Sequence, residues 1–578
     1  MSSLSKQEQL RSLIDEQQER MRQTFPAQRD LAVVALIRAR DWRYLALHNT
    51  LHTPAWNAPS PIFYLCTSGW QKALQLCYSA ATASFQVASG ITDSSLDAWA
   101  EQVLQECDRL AAGEQVLAYC ETGFMRMQQG GQRDCFAWIA SKHMPTEWRE
   151  REDLAWWANA LVQTHTSEIR ELAAENASIQ QQLVTFAREW RADTNIYSTT
   201  RAIDDYYHRL GMLWVRCMAC HLQYPAETVI GGCAIELYRK VLAVLIGWAL
   251  KHLDLCRIFV AQQPSFTLRA LLAPVHAADA LIEALSETPG VERTAIGRVV
   301  DAFCLDQKNV SWHCSVAGVP APPLVRLNDR RLVWSLAGLL GEPFLFLTRE
   351  LKRRDSYEYH TASHSHEEVF RQDLYALFSD KRFVKSAGSV VLKGVQGDLT
   401  TDVDALIFDR KTGALALFEL KSQDPFAYSR QERIRQRDYF QRAGKQVLAC
   451  VQWLNRNGAN ALLTRLDFKQ VKRLKVQKTY IFVLGRYLAH FFDGPEFDRR
   501  AAWGTWPQVL RLVNGASFGP EDANPILSLY NKLLKDTPLA PVSPMVEVQE
   551  IPIGESHVYV YPDFQTYKRG VGEMGGVE

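Results

Sequence analysis

Residues 401–422 read TDVDALIFDRKTGALALFELKS. Asp404 interrupts one apolar run, and Glu419 and Lys421 stand two residues apart in the next. An unpaired charge in such a run costs several kcal/mol or is neutralised by a shifted pKa, so these charges need a partner. On a strand, residues two apart share a face, so Glu419 and Lys421 point the same way. The turn at 410–413 is short, which lets Asp404 lie across from Glu419 on the preceding strand. Two converging carboxylates make an oxygen site suited to Mg²⁺, which keeps several waters and takes one or two carboxylates plus a substrate phosphate. Mn²⁺ suits the same oxygen donors. A lysine beside them can hold the attacking water and offset charge on phosphoryl oxygens. The plainer alternative is a surface hairpin whose Glu419 and Lys421 form an exposed ion pair worth little.

The surrounding elements must bring these groups together. EEVFRQDLYALFSDKRF (367–383) reads as a helix and VVLKG (390–394) as a short strand. VDALIFD (403–409) and ALALFELKS (414–422) read as two strands joined by a turn. SRQERIRQRDYFQRAGKQVLACVQWL (429–454) is helical, and TYIFVLG (479–485) and LAHFFDG (488–494) are strands again. The order α-β-β-β-α-β gives a mixed sheet flanked by helices.

With its acid on one strand and acid-x-lysine on the next, this stretch resembles the PD-(D/E)XK nuclease superfamily over about residues 360–495. The resemblance implies a restriction-endonuclease-like fold and a magnesium-dependent endonuclease. It implies that Asp404 and Glu419 hold the metal with the backbone carbonyl of Leu420, and that Lys421 activates water. The family's proline is replaced by Val403. Family members often add a glutamate on the first helix, where this chain offers Glu367 and Glu368. At about 100° per residue, Glu367 falls inside the arc of Val369, Phe370, Leu374, Leu377 and Phe378, and Glu368 falls outside it. Glu367 is therefore expected to face the site and Glu368 to be solvated. Some members carry glutamine and tyrosine four apart on the later helix; Gln436 and Tyr439 are three apart. Asp402 and Asp398 can extend the metal site or mark an exposed strand start. Arg433, Arg435, Arg437 and Arg442, with Gln436 and the run 469–478, can grip nucleic-acid phosphates or form solvated faces.

The rest of the chain sets the frame. At 578 residues, about 150 per domain suggests three or four units. An apolar content of 47% and a charged content of 22% are those of a globular protein. Overall an α+β architecture is expected. A large, mostly helical region (1–255) and a mixed connecting region (256–350) precede the nuclease-like α/β domain (351–500), and a C-terminal extension (501–578) follows. Residues 152–190 form one long helix or a helical hairpin, and 324–334 a hairpin turning at Asn328-Asp329. The N-terminus has no secretory pattern and no apolar run is long enough to span a bilayer, so a cytoplasmic protein without membrane contact is expected. Twelve scattered cysteines fit reduced thiols. CMACH (217–221) matches a haem-attachment pattern, but its helical flanks favour buried thiols. His360, His364 and His366 lack neighbours at ligand spacing.

Net charge is +1, yet residues 351–500 hold 27 Lys and Arg against 18 Asp and Glu. That surplus fits a polyanion, with DNA the expected partner. A homodimer, or a protein partner on the helical region, is also expected. Defence against foreign DNA in bacteria is the role suggested by analogy with standalone nucleases of this fold. The competing reading is a non-catalytic nucleic-acid-binding or scaffold protein.

Overall fold

The computed structural model describes residues 6–26, 28–47, 69–79, 94–130, 134–141, 146–189, 199–287, 292–316, 318–393, 400–427, 429–466, 474–489, 498–514, 522–535, 548–563 and 565–566. The first half is mostly helical, and mixed sheets follow later in the chain. Helices Arg29–Leu47 and Ser94–Glu121 bury apolar stripes against one another, and Arg201–Cys217 packs on Ile235–Gln262. The stretch from 152 resolves into two helices, Thr146–Thr164 and Thr166–Glu189, parted at His165. A hairpin of Leu324–Asn328 and Arg331–Trp334 lies in a four-stranded sheet of the connecting region. Cys217, Cys220 and His221 are buried, with burial pushing both thiols up and the imidazole down to about 4, as suits neutral core groups. No described helix is long and apolar enough to cross a membrane.

The segment with the charged motif forms a five-stranded sheet. Its order is Ala501–Thr505, Lys478–Gly485, Ala414–Lys421, Ala405–Asp409, Phe383–Lys385. The first three strands run parallel, and the fourth pairs antiparallel with both its neighbours. The central member, called the lysine strand below, is buried along its whole length, so it reads as an apolar run instead of alternating. One sheet face, with Ala405, Ile407, Phe418 and Leu420, packs on Phe370 and Leu374 of the leading helix Ser365–Leu377 and on helices Trp506–Asn514 and Pro525–Lys535. The other face, with Leu406, Phe408, Leu415 and Leu417, packs on Phe440, Ala443 and Val447 of the basic helix Arg430–Asn457.

Several expectations change: VVLKG lies in a separate ribbon with Thr400–Val403 and not in the sheet, and the strand expected over 403–409 breaks at Asp404. The leading helix ends at Leu377, and Phe383 belongs to an edge strand. Leu488 and Ala489 are not in a strand, and the rest of the strand expected there lies outside the described residues. The fifth strand comes instead from Ala501–Thr505, beyond the boundary placed at residue 500. Sequence order also departs from spatial order at the chain's end. Strands Gln549–Ile553 and Ser556–Tyr561 join the early hairpin Met125–Gly130/Asp134–Ile139 in one sheet, Ser556–Tyr561 running parallel to Asp134–Ile139. Ile551, Ile553, Val558 and Val560 are thus buried in the N-terminal core.

Removing residues 548–578 should therefore expose the hairpin 125–139 to protease while the five-stranded sheet keeps its amide protection. In the intact chain, Ile553→Ala should cost about 2–5 kcal/mol in denaturant unfolding of the N-terminal region.

Candidate active site

A bend at Asp404 creates the site. Before it, Thr400–Val403 pairs with Val390–Lys393 in a separate ribbon; after it, Ala405–Asp409 pairs with the lysine strand. Asp404 itself sits between the two pairings and is held at three points. Its N–H donates to the Phe418 carbonyl (3.0 Å), its own carbonyl accepts from Arg371 Nη1 (3.0 Å), and its Oδ2 accepts from the Leu420 N–H (2.6 Å). The register Ala405↔Phe418 places Asp404 beside Glu419.

Glu419 and Lys421 continue the row of Leu415 and Leu417, so they face the basic helix, not open solvent. Asp404, Glu419 and Lys421 are each only 6% exposed. The exposed-hairpin alternative does not fit that burial. Lys421 Nζ donates to Glu419 Oε1 and lies 4.8 Å from the centre of the Tyr439 ring. The Tyr439 hydroxyl donates to Glu367 Oε1 (3.2 Å). Glu367, Asp404, Glu419, Lys421 and Tyr439 therefore form one connected group at the end of the sheet.

Burial pushes the Asp404 carboxyl up to about 6, with Glu367 and Asp402 adding to it and the Leu420 N–H and Lys421 opposing it. Burial pushes Glu419 up to about 8, and the neighbouring Asp404 carboxylate adds to this against Lys421. Two carboxylates that resist ionising together are what a divalent cation relieves. With one oxygen of each engaged as above, Asp404 Oδ1 and Glu419 Oε2 remain as metal donors. Strand geometry sends the Leu420 carbonyl to the same side as its N–H, toward Asp404. Among the described residues no three His, Cys, Asp or Glu side chains come together as a metal-holding group. The donors thus fit a magnesium ion that completes its shell with water and phosphate, not a metal caged by protein alone.

The remaining candidates divide. Glu368 is exposed and paired with Arg371 and Gln372. Gln436 is buried but donates to the Asp424 backbone carbonyl (3.3 Å), away from the metal donors. Arg433 and Arg437 are partly buried in the basic helix, whereas Arg435 and Arg442 are exposed. Asp402 is exposed and accepts from Gln446 (3.3 Å). Asp398 and 469–473 of the basic run lie outside the described residues. The histidines at 360, 364 and 366 do not gather as ligands: His366 is buried against Tyr224, and the other two are solvent-facing. Arg371 went unnoticed in the sequence, although it stands four residues after Glu367 and so on its helix face.

Compared with known families, with curated proteins and with solved structures, the chain matches none.

The raised carboxyls fix the sign of the pH dependence. A carboxyl whose pKa is higher folded than unfolded holds protons more tightly in the native state, so stability falls as pH rises between the two values. For Glu419 that window runs from its ordinary 4.5 to about 8, and for Asp404 from 3.8 to about 6. Without metal, the melting temperature should fall from pH 5 to pH 8.5, and Glu419→Gln should flatten that fall. Added Mg²⁺ or Mn²⁺ should stabilise more at pH 8.5 than at pH 5.5, as checked by scanning calorimetry.

Proposed function

We propose that the chain is a metal-dependent nuclease that hydrolyses phosphodiester bonds, with DNA the substrate the family resemblance favours. The observation that carries the reading is the meeting of Asp404, Glu419 and Lys421 where the acid-bearing strand bends away from the lysine strand. A bound Mg²⁺ would supply Lewis-acid charge to the phosphoryl oxygens and lower the pKa of a bound water. Asp404 is pre-set as a ligand, because the Leu420 N–H and the Arg371 guanidinium fix its carboxylate and its backbone. Lys421, paired with Glu419 Oε1 in this arrangement, would orient water and meet charge on the phosphate. Glu367 reaches the same place from the leading helix and accepts from Tyr439, so it can hold an outer-sphere water. A role in defence against foreign DNA remains an analogy with other nucleases of this kind.

The non-catalytic reading has one observation in its favour: Lys421 and Glu419 already neutralise each other out of contact with solvent. On that reading the basic surplus of residues 351–500 binds nucleic acid and nothing is cut.

Plasmid and single-stranded substrates, incubated with Mg²⁺, Mn²⁺ or EDTA, separate the two. Asp404→Asn, Glu419→Gln and Lys421→Met should each lower metal-dependent cutting by on the order of 10²–10⁴. Calorimetry should show the two carboxylate variants losing metal affinity while Lys421→Met retains it. Asparagine is preferred to alanine at 404, because alanine strands the buried Leu420 N–H at a cost of about 1–3 kcal/mol. Salt-sensitive binding with no cutting under any metal would establish the second reading.

A further inference from the structure

We propose that the helical region holds this site shut by clamping the loop that joins the lysine strand to the basic helix. The proposal takes its purpose from the nuclease reading, and its test does not depend on that reading. A phosphodiester must come within hydrogen-bonding distance of Lys421 and the two carboxylates. With each of those side chains 6% exposed and the Tyr439 ring over the Lys421 ammonium, it cannot do so in this arrangement. Tyr439 belongs to the basic helix and is tied across the site to Glu367. Opening therefore requires the first turns of that helix, or its tyrosine, to move.

What holds those turns comes from far away in sequence. The loop starts at Ser422 and ends at Ser429, whose hydroxyl accepts from the Glu432 N–H (3.2 Å) while Glu432 accepts from the Ser429 N–H (3.1 Å). Inside the loop, Asp424 accepts from Lys352 (3.0 Å) and from the Tyr359 hydroxyl, and its backbone carbonyl takes Gln436. The Phe426 N–H donates to Glu150 Oε1 (3.3 Å), and the Arg151 guanidinium lies 4.1 Å from the centre of the Phe426 ring. Glu150 and Arg151 come from helix Thr146–Thr164, and Lys352 and Tyr359 from the two helices preceding the leading helix.

Phe426 also has φ of +63°, a left-handed conformation that a large side chain keeps only where its surroundings over-determine it. Here those surroundings include Glu150, Arg151 and the apolar cluster that buries the Phe426 ring. The loop is thus loaded: if the helical region lets go, Phe426 relaxes to negative φ, the Ser429 cap turns with it, and the Tyr439 end of the helix loosens over the site. A partner or ligand that takes Glu150 and Arg151 from the loop would then open the nuclease. The arrangement gives the large helical region a regulatory task.

The test reads the gate without relying on cleavage. Lysines of the intact chain are reductively methylated with formaldehyde and dimethylamine-borane, and Lys421 is followed by peptide mass spectrometry beside amide exchange of residues 430–440. In Glu150→Gln/Arg151→Ala, Lys421 should be labelled about tenfold faster and 430–440 should exchange faster, while 235–262 stays unchanged. Arg151→Ala alone, which leaves the Glu150–Phe426 hydrogen bond in place, should act in the same direction by a smaller factor and serves if the double variant does not fold. Metal-dependent nicking should rise in parallel. Unchanged Lys421 labelling in the folded variants, or faster exchange across the whole chain, would overturn the proposal. Faster labelling with no nicking in any variant would uphold the gate and sink the nuclease reading.

Discussion

The structure depends on keeping two carboxyl groups and an ammonium out of water at the end of a central strand. Each charge moved there costs several kcal/mol unless it is paired or neutralised. Every neighbouring feature answers that cost. The Leu420 N–H binds Asp404, Lys421 neutralises Glu419, and Glu419 is pushed toward its protonated form. The bend at Asp404 is part of the same solution. By leaving the sheet there, the strand forgoes ladder partners for the Asp404 carbonyl, and the Arg371 guanidinium takes that place. A straight strand would satisfy the backbone but would turn no carboxylate toward the Leu420 amide.

The chain returns upon itself around this sheet. The leading helix through Lys535 builds the five-stranded unit, and the chain then goes back to complete the early hairpin with its last two strands. The unit is therefore inserted within the helical region instead of trailing from it. Contacts across the join are polar and buried. Asp153 accepts from Thr505 (3.0 Å) and pairs with Arg511, while the Tyr487 hydroxyl donates to the Cys220 carbonyl (2.6 Å). Arg486 donates to Gln223 Oε1 and lies 4.7 Å from the centre of the Trp157 ring. Removing one member of such a pair leaves its partner buried and unsatisfied, so relative movement of the two parts is restricted to places where the contacts can exchange with water.

The site was more legible than the frame because its signal is local. A charge in an apolar strand stands out at period two, which singled out Asp404, Glu419 and Lys421; Glu367 was sought because of the family resemblance, and the period of 3.6 only separated it from Glu368. The edge strand Phe383–Lys385 was hidden because three residues carry no measurable alternation, and the helical pattern before it ran on through Phe378. Ala501–Thr505 was hidden for a related reason: AAWGT is buried throughout, so it shows neither period. The pairing of 556–561 with 134–139 joins segments about 420 residues apart, and nothing in either segment names the other. Arg371, Glu150, Arg151, Lys352 and Tyr359 belong to the same class. Their side chains are ordinary surface types until the fold brings a carbonyl, a carboxylate or a strained amide to them.

The arginines of the basic helix show how one element divides its labour by angle. Phe440, Ala443 and Val447 form the stripe that seals the sheet, and Arg435 and Arg442 point to solvent on the other side. Tyr439 stands one residue, about 100° of rotation, from Phe440, which sets it at the border of the buried stripe and directly over Lys421. A roll of the helix about its axis carries the tyrosine and the stripe through the same angle, so uncovering Lys421 in that way also disturbs the seal on the sheet. The loop that leads into this helix begins at Ser422, one residue beyond the lysine. The same few residues thus follow the strand that carries the charged cluster, lead into the helix that covers it, and meet the helical region. Any force on that loop acts on the amine and its cover together.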